Sequence, residues 1–274
     1  MAVTNYGDFF IMADRNIRTA IHGSGRDGFG LTRDGDVVSR NRLVAPYDMS
    51  KTVEFKDDFL GALISTAWSV VEGADTTTSG AVVTNGLGGT LVMTTGDSAT
   101  TTYAGNGIQI THGAFYNFKA ENGGLSFETR LKLSAITSVK LFVGFTDLGT
   151  FEAPIEGSGT ADGITTNASN AVGIIFDTSM TTDNFWGVGV KADTDATSIN
   201  LDTAPVADTY VILKIEVDKD GDAKFLINGT LVGGIMADAI TATTPLTPTI
   251  AATSLTTATR TVTVDYVDVR MDRV

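Results

Sequence analysis

The chain has 274 residues, 42% hydrophobic and only 19% charged, with thirty glycines, five prolines and no cysteine. That length suits one large all-β domain with an appendage, and the lack of cysteine excludes a disulfide framework, a thiolate nucleophile and a Cys-ligated metal. Net charge is −13 but uneven: residues 1–52 hold seven basic side chains against six Asp, a net of +1, and the remainder holds 12 against 26, a net of −14. So acidic a body argues against nucleic-acid and anionic-membrane partners, because phosphate contacts need clustered Lys and Arg.

The first residues carry no basic stretch followed by an apolar run, and no segment approaches the ~18 apolar residues of a membrane span, so a soluble protein made without a cleaved signal is expected. Residues 1–52 read as an N-terminal arm. Short apolar pieces at 9–12 and 17–21 are interrupted by Gly23, Gly25, Gly28, Gly30 and Gly35, too often to build a separate core. Such an arm orders against the body, a sister subunit or another protein.

From Val53 onward strands recur between turn signals. Leu125, Phe127, Leu131 and Leu133 alternate with Ser126, Glu128, Arg130 and Lys132, the pattern of a half-buried antiparallel strand. Runs at 140–145, 172–176 and 185–190 lack polar alternation and read as central strands covered on both sides. The segment 149–170 is rich in Gly, Ser, Thr and Asn and long for a loop, which predicts a mobile element or a contact surface.

Val211, Leu213, Ile215 and Val217 alternate again, and Asp220-Gly221 then predicts a hairpin into one strand over 223–232. Residues 237–240 offer one short helical turn. In the last strand Val262, Val264 and Tyr266 give way to Val267, Val269 and Met271, a change of parity that predicts a bulge near 266–267. Two packed antiparallel sheets are therefore expected over residues 53–274.

Several patterns touch on chemistry. Glu216, Asp218 and Asp220 share one strand, and related glucanases display Glu-x-Asp-x-(x)-Glu; here the final Glu is missing, Asp220 adjoins the Gly221 turn, and a solvent-facing strand edge is the alternative. The run 218–222 approaches a calcium loop but places Gly fourth and Gly229 twelfth, unlike an EF-hand; a site between loops using Asp193 and Asp195 stays open beside solvated turn aspartates. Residues 23–28 match GxGxxG, yet no helix begins after them, so arm glycines explain them.

His22 and His112 are the only histidines and neither has a characteristic neighbour sequence for a metal or a triad; His112 reads as a turn residue. Trp68 and Trp186 offer rings that stack on sugars or pack in a sandwich. Asn167 and Asn228 begin glycosylation sequons.

The stretch Asp57-Asp58-Phe59-Leu60-Gly61 with Trp68, then residues 127–133, 142–147, 176–178, 185–188 and 215–229 in order, resemble the concanavalin A-like lectin/glucanase superfamily, and more narrowly its version in structural proteins of tailed-bacteriophage particles. The resemblance covers residues 53–274. It implies an all-β, two-sheet antiparallel jelly-roll sandwich and a capsid decoration or cement protein, displayed on the virion exterior after synthesis in the host cytoplasm, with the major capsid protein or another virion protein as partner.

On that reading the protein is not an enzyme and needs no cofactor or metal. Its arm docks through Phe9, Phe10, Arg15, Arg18, Arg26, Phe29, Arg33, Arg40 and Arg42, since Arg and aromatic anchors dominate interface energetics. A homo-oligomer, a trimer among the options, multiplies the attachments. The alternative function is a carbohydrate-binding module or receptor-binding tail component, with Trp186 as a glycan contact.

Overall fold

The computed structural model describes residues 52–272 apart from 62–63, 85–88, 100, 113–117 and 160–161, and of the first 51 residues the backbone of five short strands. These fall into two units, residues 1–52 and 53–274. In the first, β1 (Val3–Tyr6) pairs with β2 (Phe9–Met12), and β3 (Ala20–Ile21), β4 (Phe29–Leu31) and β5 (Val37–Ser39) form a three-stranded antiparallel sheet.

The second unit runs β6 (Thr52–Asp57), β7 (Ser69–Glu72), β8 (Ser79–Thr84), β9 (Gly89–Thr94), the single turn α1 (Tyr103–Asn106) and β10 (Gly107–Thr111). There follow β11 (Leu125–Leu133), β12 (Val139–Thr146), the short β13 (Ile155–Gly157) and β14 (Ile164–Thr166), β15 (Ala171–Asp177) and β16 (Phe185–Lys191). The chain ends with β17 (Thr194–Asp195), β18 (Ile199–Asn200), β19 (Val211–Val217), β20 (Ala223–Ile227), β21 (Thr230–Met236), β22 (Thr247–Ser254) and β23 (Thr261–Asp272).

Two eight-stranded antiparallel sheets result among the described residues. The first has the order β17-β16-β15-β12-β22-β10-β7 with β18 also on β16; the second has β21-β20-β19-β11-β23-β9-β8 with β6 on β23. The core lies between them. Alternation on β11 buries Leu125, Phe127, Leu131 and Leu133 and half-exposes the charged residues between, as the sequence predicts. Each such side chain contributes roughly 1.5–3 kcal/mol of transfer free energy. Across the gap, Phe127 of β11 meets Phe145 of β12 edge to face at 5.7 Å. Gly187 of β16 lies against the Phe225 ring of β20, where a Cβ would approach Cδ2 to 2.5 Å, so a residue without a side chain lets the ring fill the layer.

The parity change in β23 is a bulge, one residue earlier than expected. Arg130 pairs with Tyr266 and Leu131 with Val264, leaving Asp265 as the extra residue. Thr129, an inward polar residue on β11, donates to the Tyr266 carbonyl at 2.7 Å, and Asp265 pairs with Arg130 at 2.7 Å. The hairpin at Asp220-Gly221 forms as expected, but the strand expected over 223–232 is two strands. Asn228 (φ 51°) and Gly229 (φ 78°) make a two-residue turn between β20 and β21, the reversal that positive φ at both positions permits. Residues 237–240 form turns without a helix.

The runs expected to be covered on both sides are β12, β15 and β16, and the cover is chain 147–159 and 162–170. It folds back over the first sheet as a strap carrying the β13–β14 hairpin. Ala153, Ile155 and Ala168 pack on Phe142, Ile175, Trp186 and Ala251 in a second apolar cluster. Polar ties hold it: Lys140 Nζ reaches Glu156 at 2.8 Å and Asp177 at 3.5 Å, and the Asp177 carboxylate accepts Gly157 N at 2.7 Å. Tyr103 is half-buried overall, but its hydroxyl end is enclosed and donates to Ile108 O; burial, helped by the Glu156 carboxylate, pushes that hydroxyl well above its usual pKa.

Candidate functional site

With the first sheet's outer face covered, a concavity lies at one open edge of the sandwich. There β16, β17 and β18 of the first sheet face the end of β21 in the second, and a groove of about 640 Å³ opens between them. Lys191, Thr194, Asp195, Thr197 and Asp238 supply polar groups; Ile199, Ile235 and Met236 supply apolar surface, with Ile235 58% exposed.

Local sequence builds the rim. The turn from β16 to β17 uses only Ala192 (φ 46°) and Asp193 (φ 62°), both left-handed, a conformation that costs an alanine roughly 1–2 kcal/mol. Across the groove Gly233 (φ 72°) lets β21 approach β18, since a Cβ there would lie 2.5 Å from Ile199 Cγ2. The Lys191 ammonium bonds the Asp238 carboxylate, tying the two sides together across 47 residues of sequence. Asp195 accepts from Thr166 Oγ1 at 2.8 Å, Asp193 accepts from Ser169 Oγ, and Asp222 accepts the Asp238 N–H at 2.8 Å.

The residues singled out by sequence go elsewhere. Glu216 faces outward on the second sheet and pairs with Lys214 at 2.6 Å; Asp218 caps the turn, accepting Asp220 N at 2.9 Å and Asp222 N at 3.0 Å. They form a strand edge and a hairpin. Asp193 and Asp195 flank the groove, yet no group of three or more metal-ligating side chains converges among the described residues.

His112 is no simple turn residue. Its ring stands edge-on to Phe55 at 4.3 Å and Trp68 at 4.5 Å, its Nε2 is buried without a partner, and burial lowers its pKa to about 4. Trp68 is core, bonded through Nε1 to Asp57 at 3.1 Å. Trp186 is 6% exposed beneath the strap and donates Nε1–H to Thr182 O at 3.2 Å, so its ring is packed rather than presented as a stacking platform. Phe9 and Phe10 lie in β2 and Phe29 in β4. Arg15, Arg18, Arg26, Arg33, Arg40 and Arg42 lie outside the described residues, as do His22 and the glycine motif 23–28.

No family model and no curated protein matches the chain. Solved structures do match. The Emp47p carbohydrate recognition domain aligns over 83% of this chain and 99% of its own with a TM-score of 0.54 and 10% identity. The endo-1,3-beta-glucanase of Streptomyces sioyaensis aligns over 82% and 98% with a TM-score of 0.52 and 16% identity. The fold is a concanavalin A-like jelly roll. A beta-1,3-1,4-glucanase (lichenase) from a mouse hindgut metagenome is similar over 79% and 98%, with a TM-score of 0.53 and 13% identity.

At these identities the likeness concerns architecture. It corrects one expectation nonetheless. A non-enzymatic protein was expected from the failed Glu216 motif, but proteins of this same concanavalin A-like fold include two glucanases by name, so the architecture is one that carries hydrolases.

Proposed function

We propose that the concanavalin A-like sandwich recognises a saccharide in the edge groove between β16–β18 and β21. The observation that carries the reading is the groove's mixed lining. Exposed Ile235 beside Ile199 offers apolar surface to the C–H face of a sugar ring, while Thr194, Asp195, Thr197 and Asp238 offer hydroxyls and carboxylates to its hydroxyl groups. Fold analogy supports it, since one neighbour is named a carbohydrate recognition domain and two are named glucanases.

A glycan array tests the reading, with the same oligosaccharides scored for released reducing ends. Saturable binding that falls roughly ten-fold in Ile235→Ser or Thr197→Ala is expected; both side chains lie at the surface, so the fold stays intact. Binding unchanged in both variants would place the saccharide elsewhere.

A second reading is that of a decoration protein on a virion, docking on the major capsid protein through residues 1–52. Its support is the charge contrast of +1 against −14 between the two parts of the chain. Co-sedimentation with capsids tests it, and equal binding by a chain lacking residues 1–50 would contradict it.

A further inference from the structure

We infer that the groove selects by charge, taking amine-bearing or neutral saccharides and rejecting acidic ones; the inference rests on the saccharide reading of this same groove. Two carboxylates line it, those of Asp195 and Asp238, and two more stand next to the lining: Asp193, between Ala192 and Thr194 in the rim turn, and Asp222, which accepts the Asp238 N–H. Two ammonium groups stand near: Lys191, which is paired with Asp238, and Lys224, whose backbone lies opposite Ile235 in the β20–β21 pairing. The local balance is negative, on a body that itself carries −14.

The polar acceptors are also of one kind. A carboxylate accepts hydrogen bonds and never donates, so Asp195 and Asp238 suit hydroxyl or ammonium donors and leave a uronate or sulfate oxygen without a partner. Thr194 and Thr197 can donate, but an anionic group there would sit in the field of the surrounding carboxylates. No aromatic ring lines the groove, so sugar stacking does not mask this electrostatic selection. A hexosamine ammonium, in contrast, replaces a hydroxyl donor with a charged one and gains a charge-assisted bond.

The experiment compares three oligosaccharides of equal length by calorimetry with the full chain at low salt: a glucosamine oligomer, its N-acetylated neutral counterpart and a uronate oligomer. The glucosamine oligomer is expected to bind roughly five-fold tighter than the neutral one per carboxylate engaged, and the uronate oligomer to bind at least that much more weakly. The preference should shrink in 0.5 M salt and in Asp195→Asn and Asp238→Asn, with melting temperatures measured alongside to check their folding. Equal binding of neutral and uronate oligomers, or a preference untouched in both variants, overturns charge selection while leaving the groove a saccharide site. Failure of all three oligomers to bind overturns both.

Discussion

The hydroxyl of Thr129 donates to the carbonyl oxygen of Tyr266, 137 residues away, at 2.7 Å. This bond satisfies a part-buried carbonyl beside the Asp265 bulge, where the ladder between β11 and β23 is interrupted. Thr129→Val keeps the shape and strands that carbonyl. A loss of about 1–3 kcal/mol in urea unfolding is expected with an unchanged m value; unfolding at the wild-type midpoint would show that the bulge needs no such support.

His112 sets an acid limit on stability. Its ring is half-buried among Phe55, Trp68 and Phe118, which holds its pKa at about 4 against 6.5 in the unfolded chain. Between those values the unfolded state binds the proton and the folded state does not. Stability is therefore full above pH 6.5, falls as pH drops toward 4, and loses no more from this group below that. Partial solvent access of the ring reduces the effect to about 1–2 kcal/mol. His112→Phe is expected to flatten this part of a stability-versus-pH series; an unchanged slope would assign it to other groups.

Gly233 fixes the width of the groove. A Cβ there meets Ile199 Cγ2 at 2.5 Å, and its φ of 72° disfavours a side chain. Gly233→Ala is expected to push β21 from β18, costing about 1–2 kcal/mol of stability and weakening saccharide binding by more than the fall in folded fraction explains. Stability and affinity both at wild-type values would mean that this approach is not needed.

Glu216 makes the opposite case. It faces outward on the second sheet beside Lys214, two strands from Ile235 and outside the groove lining. Glu216→Gln is expected to leave saccharide binding unchanged, and any release of reducing ends from β-glucans unchanged too. A loss of either would return the working surface to β19.

Much of the sandwich was legible because burial follows period. Alternation located β11 and β19, and the apolar runs located β12, β15 and β16 as strands covered twice. Their cover was not legible, because chain 147–159 and 162–170 buries small residues such as Ala153 and Ala168 that give no periodic signal. Asn228-Gly229 carries a strong hairpin signature, but reading the apolar residues on both sides of it as one strand over 223–232 hides β21, the strand that walls the groove. The groove itself joins Lys191 to Asp238, and neither residue type stands out alone. Only the pairing of the two sheet edges brings them together.

The most direct test maps amide chemical shifts of the full chain while the best-binding oligosaccharide of the array is titrated in. The saccharide reading expects the largest changes at residues 191–199 and 235–238, saturating with a single affinity. Changes confined to the outer face of the second sheet around Glu216, or to residues 1–52, would contradict it.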